Sequence, residues 1–117
     1  MTVSKLLQLQ WAFARLIPRL YDKAFELGFE VTQGDAFRDP RVHGDVGEKL
    51  GYGHRNSAHK RKLAHDLNLY WPDGHYLTST EAHRQLGEWW EKQHPLARWG
   101  GHFADGNHYS FEYEGVR

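Results

Sequence analysis

Residues 63–71 read Leu-Ala-His-Asp-Leu-Asn-Leu-Tyr-Trp, and their alternation decides the fold class. Successive side chains of a strand point to opposite faces. Leu63, His65, Leu67 and Leu69 therefore share one face, and Ala64, Asp66, Asn68 and Tyr70 share the other. The first face is fit for a core; the second carries an acid. Pro72-Asp73-Gly74 follows as a turn, and His75-Tyr76-Leu77 returns as a hairpin partner.

Upstream, Leu6, Leu9, Phe13, Leu16, Ile17, Leu20, Ala24 and Phe25 recur at spacings of three and four. That period places them on one face of a helix over residues 4–27. Pro18 predicts a kink, or two successive helices with Pro18 near the start of the second. Gly28 predicts a C-terminal cap, and residues 29–32 alternate as a short strand. Residues 33–58 contain glycines at 34, 44, 47, 51 and 53 and Pro40, with no period. A loop this long in a small domain is more often functional than merely connecting.

Downstream, Thr78-Ser79-Thr80-Glu81 fits a capping box opening a second helix that runs through Gln93 and stops before Pro95. Leu86, Trp89 and Trp90 form its core face. Trp99-Gly100-Gly101 precedes a terminal strand over residues 107–113. The expected fold is a single α+β domain over residues 1–117, with a small, mostly antiparallel sheet flanked by helices.

The 117 residues include nine histidines, five tryptophans and no cysteine. Disulfides, thiolate zinc sites, iron–sulfur clusters and a cysteine nucleophile are excluded, so any metal must be held by imidazole and carboxylate. Fifteen basic residues balance fifteen acidic ones, so nucleic acid and anionic membranes are not expected partners. The N-terminus lacks the pattern of a secretory leader, and no run approaches the roughly 20 apolar residues that cross a bilayer. Stable membrane insertion is not expected, and the chain reads as a monomer made in the cytoplasm.

Histidine is the excess residue, so metal chemistry comes first. The pattern acid-x-x-His occurs twice, at Glu91…His94 and Asp105…His108, and a chain rich in both types supplies it by chance. Context separates the pair. Glu91 and His94 end an amphipathic helix and read as solvated surface. Asp105 and His108 lie where a glycine-rich turn enters a strand, a place where side chains converge on a cleft. The other dense stretch runs from Ser57 and His59 to Asp66. Asp66 alone reads as a polar residue on an exposed strand face.

Ser57-x-His59-x-x-x-x-Ala64-x-Asp66 resembles the Ser-x-His-x-x-Gly-x-Ala-x-Asp signature of a zinc peptidase family. That family contains the bacterial D-alanyl-D-alanine carboxypeptidases and dipeptidases and the phage L-alanyl-D-glutamate endopeptidases. Trp99-Gly100-Gly101 with Asp105-Gly106-Asn107-His108 resembles its second half, Trp-Gly-Gly followed by Asp-x-x-His. Val31-Thr32-x-Gly34 with Arg38 resembles a Thr-x-Gly-x-Arg segment, with two extra residues before the arginine. The likeness spans about Val31 to Tyr113. Lys62 stands where the family usually has glycine, and His102 where an acid or other polar residue is common.

The resemblance implies a Hedgehog/DD-peptidase-like fold and one zinc ion per chain, held by His59, Asp66 and His108. Such a centre polarises a carbonyl and lowers the pKa of bound water, with Asp105 as general base. An exposed Asp is a weak base, so burial or the metal must assist it. Arg38 would bind a substrate carboxylate or carbonyl oxygen through its planar fork of donors, and Ser57 would hydrogen-bond near the site.

Other histidines have plainer readings. His65 faces away from Asp66, toward core or partner; His54 and His102 are alternative ligands; His43, His75, His83 and His94 read as surface. His59-Lys60-Arg61-Lys62 reads as a solvated basic loop, with attraction to an anionic cell envelope a secondary reading. Trp71, Trp89, Trp90 and Trp99 read as core and cleft walls.

The implied substrate is the peptide stem of peptidoglycan. A short chain without a leader suits a phage lysis enzyme that cuts L-Ala–D-Glu once the inner membrane is permeabilised. The alternatives are removal of a terminal D-Ala within the same family and, from other classes, a non-catalytic zinc- or wall-binding module or a histidine–metal nuclease.

Overall fold

The computed structural model describes residues 2–38 and 57–117. Most of the expected long loop, with His43 and His54, lies outside the described residues. Helix α1 spans Lys5–Glu26, capped by Ser4, whose Oγ accepts from Leu7 N at 3.1 Å. It is one helix, not two. Pro18 removes a single backbone donor, but Phe13, Leu16, Leu20 and Ala24 form an unbroken buried stripe on either side of it, and burying that stripe outweighs the loss. Phe25 leaves the expected core face and is 48% exposed. At the C-terminus Phe29 N bonds Ala24 O and Gly28 N bonds Phe25 O, both at 3.0 Å, the paired closure of a glycine-terminated helix.

Five strands follow among the described residues: β1 Glu30–Gln33, β2 Ala64–Tyr70, β3 Tyr76–Leu77, β4 Ala97–Trp99 and β5 His108–Phe111. All pairings are antiparallel and the order is β1-β2-β5-β4. β1 covers residues 67–70 of β2 along one edge; β5 and β3 share the other, β5 pairing with 64–66 and β3 with Leu69 and Tyr70. The α+β expectation holds. Strand β4 was not expected, because three residues beside a Trp-Gly-Gly turn carry no readable alternation.

Helix α2, Arg84–Glu91, is shorter than its capping box suggested and is preceded by a 3-10 turn over Glu81–His83. Ser79 makes the first capping bond, its Oγ accepting from Ala82 N at 3.2 Å, whereas Thr80 makes none. The tighter first turn shifts the cap by one residue. Trp90 anchors the core, donating from Nε1 to Arg98 O and Ser110 O while packing edge-on against Phe13. Trp90 and Trp99 are buried as expected. Trp71 instead is 43% exposed and stacks on Phe29 at 4.9 Å. No described helix is long and apolar enough to cross a membrane.

Candidate metal centre

The β2–β5 register sets Asp66 directly opposite His108, and opposed residues of antiparallel strands share a face. His59 arrives from the chain just before β2. Ser57 caps a 3-10 turn over Ala58–Arg61 by accepting from His59 N at 3.2 Å, and Lys62, left-handed at φ 60, turns the chain into the strand. Of His59-Lys60-Arg61-Lys62 only Lys62 is exposed as a solvated loop would be; His59 is 1% and Lys60 8% exposed, because the turn packs against the start of β2.

Three side-chain atoms converge. His59 Nε2 lies 3.2 Å from Asp66 Oδ1, and His108 Nδ1 lies 3.4 Å from the same oxygen. One ligand atom from each residue fits within a 4.8 Å span, and these three form the one such cluster among the described residues. His59 Nδ1 is 2.7 Å from the Ala36 carbonyl. A carbonyl only accepts, so Nδ1 carries the proton and a neutral His59 turns the lone pair of Nε2 toward Asp66.

His59 Nε2 and Asp66 Oδ1 are both buried with no hydrogen-bond partner. With a neutral His59, two lone pairs face each other at that distance, and either a proton on Nε2 or a metal ion between them relieves the repulsion. Two imidazoles and a carboxylate, one imidazole oriented by a backbone carbonyl, can hold a metal ion. Burial alone would raise the Asp66 pKa, but His108 and His59 beside it outweigh burial and hold the carboxyl well below the usual carboxylate range. Asp66 is thus an anion in the fold, as a ligand must be.

The flanks also hold sequence candidates. Arg38 NH1 donates to Ser57 Oγ at 2.8 Å, and its Nε lies 3.5 Å from Asp35. Arg38 N bonds His59 O at 3.2 Å, so this pair sits on the His59 side. Ser57 is buried, and its hydroxyl holds Arg38 and the turn together. On the other side, Asp105 Oδ2 lies 3.9 Å from His108 Nδ1. Burial does not assist Asp105, whose side chain is 53% exposed. Its position comes from backbone: Asp105 N bonds Gly100 O at 2.9 Å and His108 N bonds Asp105 O at 3.1 Å. A Cβ at Gly100 would overlap Asp105 O, the physical reason for the glycine after Trp99.

Other histidines fall elsewhere. His65 is buried on the opposite face and shares a 2.7 Å hydrogen bond with Tyr21 OH. His102 is not drawn into the cluster; it pairs with Glu91 at 2.8 Å. Glu91 and His94 are half-buried rather than solvated: Glu91 Oε2 accepts from Trp99 N, and the His94 ring stacks on Phe111 at 4.4 Å. His75 is exposed as expected. His83 is not at the surface. It is 2% exposed and hydrogen-bonded to Tyr109 OH at 2.7 Å. Its signal was present, since 83, 86 and 90 fall on one helical face with Leu86 and Trp90. The Ala36 carbonyl had none, because a backbone acceptor leaves no mark on residue type.

No protein-family model matches the chain, and neither does any curated protein.

Proposed function

We propose that the chain is a zinc-dependent peptidase of the peptidoglycan stem, cutting L-Ala–D-Glu in the manner of a phage lysis enzyme. The observation that carries this is the set of unpartnered atoms on His59 and Asp66 converging with His108, with a carboxylate 3.9 Å further on at Asp105. Two neutral imidazoles and one carboxylate suit zinc, and with bonds of about 2.0–2.1 Å tetrahedral ligand atoms sit about 3.3–3.4 Å apart. The two contacts at Asp66 Oδ1, 3.2 and 3.4 Å, match that spacing. The left-handed backbone at Lys62 also supports the resemblance, because the family usually has glycine there.

Zinc held there would supply Lewis acidity, polarising a carbonyl and acidifying water. Asp105 takes the proton from the attacking water at a carboxylate oxygen and returns it to the leaving amine. Arg38, held by Ser57, orients the substrate through a carboxylate. The α-carboxylate of D-Glu, beside the bond to be cut, has the right chemistry.

Mass spectrometry of muropeptides after digestion tests this reading. New N-terminal D-Glu is expected. Loss of a terminal alanine would instead assign the carboxypeptidase activity, and unchanged muropeptides with zinc bound would leave only a binding module.

A further inference from the structure

Beyond Asp105, on the side away from Arg38, lies a recess of about 170 Å³, well above the roughly 10–15 Å³ that one water needs. Thr78, Thr80, His83, Asp105 and Asn107 line it, with the half-exposed ring of Tyr76. Asp105 is the one formal charge in this lining, and no Lys or Arg enters it.

The wall is built rather than incidental. Trp99 Nε1 donates to Gly106 O at 2.7 Å and fixes the loop that carries Asp105. A Cβ at Gly106 would lie 2.5 Å from Thr80 Cα, so only glycine lets that loop close against Thr80. Tyr109 OH holds His83 Nδ1 in one orientation. Burial pushes the His83 pKa down to about 4, which keeps the ring neutral.

We infer that this recess is a subsite for an uncharged, hydroxyl- and amide-bearing group: the acetamido sugar joined to the N-terminal alanine of the stem peptide. The inference rests on the peptidoglycan reading. Threonine hydroxyls and the Asn107 amide both donate and accept, as the hydroxyls and acetamide of such a sugar do. Asp105 repels carboxylates from this side, whereas Arg38, held by Ser57 and Asp35, offers a guanidinium on the other. Cutting L-Ala–D-Glu places the D-Glu carboxylate beyond one side of the bond and the sugar beyond the other. On this reading the substrate lies with its sugar toward Thr80 and the D-Glu carboxylate toward Arg38.

Thr80→Val, which replaces the hydroxyl with a methyl, tests the assignment on two substrates. One is a muropeptide bearing N-acetylmuramic acid; the other is the same peptide capped by an acetyl group. The variant should lose about tenfold more kcat/KM on the sugar-bearing substrate, mostly through KM, as expected for one lost hydrogen bond to an uncharged group. Equal losses on both, or none, would overturn the subsite. A second readout needs no turnover: N-acetylmuramoyl-L-alanine, titrated into the zinc-loaded protein, should move the NMR signals of Thr78, Thr80, His83 and Asn107. Shifts confined to other residues would overturn it. A protein that cut no muropeptide yet bound this compound in the recess would refute the hydrolase and uphold the subsite; cleavage without those shifts would do the reverse.

Discussion

His59 Nε2 faces Asp66 Oδ1 across 3.2 Å while the opposite ring nitrogen of His59 is held by the Ala36 carbonyl. The backbone thereby chooses the tautomer of a neutral His59, and that tautomer presents Nε2 beside Asp66 Oδ1 as a ligand pair for a metal ion.

Zinc should therefore bind at one ion per chain by elemental analysis. His59→Ala and His108→Ala should each weaken it by more than about 100-fold, since even outer-shell changes cost 10–100-fold. Zinc at 100 times its Kd should stabilise the protein by about 2.7 kcal/mol. Unchanged zinc content in either variant would remove that residue from the ligand set.

Asp105 Oδ2 lies 3.9 Å from His108 Nδ1 at the edge of the cluster. Asp105→Asn should keep the zinc and lower kcat on muropeptides by about 10²–10⁴-fold, the range of a lost general base. Zinc loss would instead make Asp105 a ligand.

His83 predicts a pH dependence of stability. Burial lowers its pKa from 6.5 to about 4 in the fold. Between those values the unfolded chain binds more protons than the folded one, so stability is fully present above pH 6.5 and falls as the pH drops toward 4. The loss is on the order of 2–3 kcal/mol. Urea unfolding at pH 7 and pH 4.5 should show wild type losing more than His83→Gln; parallel losses would contradict this.

Lys62 sits at φ 60, a conformation that costs a side-chain-bearing residue about 1–2 kcal/mol. Glycine removes that cost but gains entropy in the unfolded chain, and the Lys62 ammonium over the Phe37 ring is lost. Lys62→Gly should stabilise by about 0.5 kcal/mol net, read from the urea midpoint.

Gly87 lies inside α2, where helix propensity alone predicts that alanine adds about 1 kcal/mol. A Cβ there would overlap the Trp99 ring. Gly87→Ala should therefore destabilise by about 1–3 kcal/mol, and thermal melts decide the sign.

Much of this was legible in residue order. Alternation through 63–71 placed Asp66 on the face opposite Leu67, and the three- and four-residue spacing from Leu6 to Ala24 marked a helix that the structure contains. Both are local periods, carried by neighbouring side chains. The errors came where distant packing overrode local rules. Pro18 did not divide α1, because the core on either side of it is continuous. His83 and Lys60 were drawn inward, one by Tyr109 OH and the other with the turn that carries His59.

Sequence by itself determined the ligand types, with no cysteine and an excess of histidine, and the α+β class through its periods. The resemblance named His59, Asp66 and His108 as a set, and the tertiary structure supplies the contacts that bring them together. The β2–β5 register puts His108 across from Asp66, and a capped turn closed by left-handed Lys62 brings His59 to the same oxygen. The turn is local, closed by Lys62 N to His59 O and Leu63 N to Ala58 O, but the β2–β5 register joins segments more than 40 residues apart in sequence, and no local period encodes that pairing.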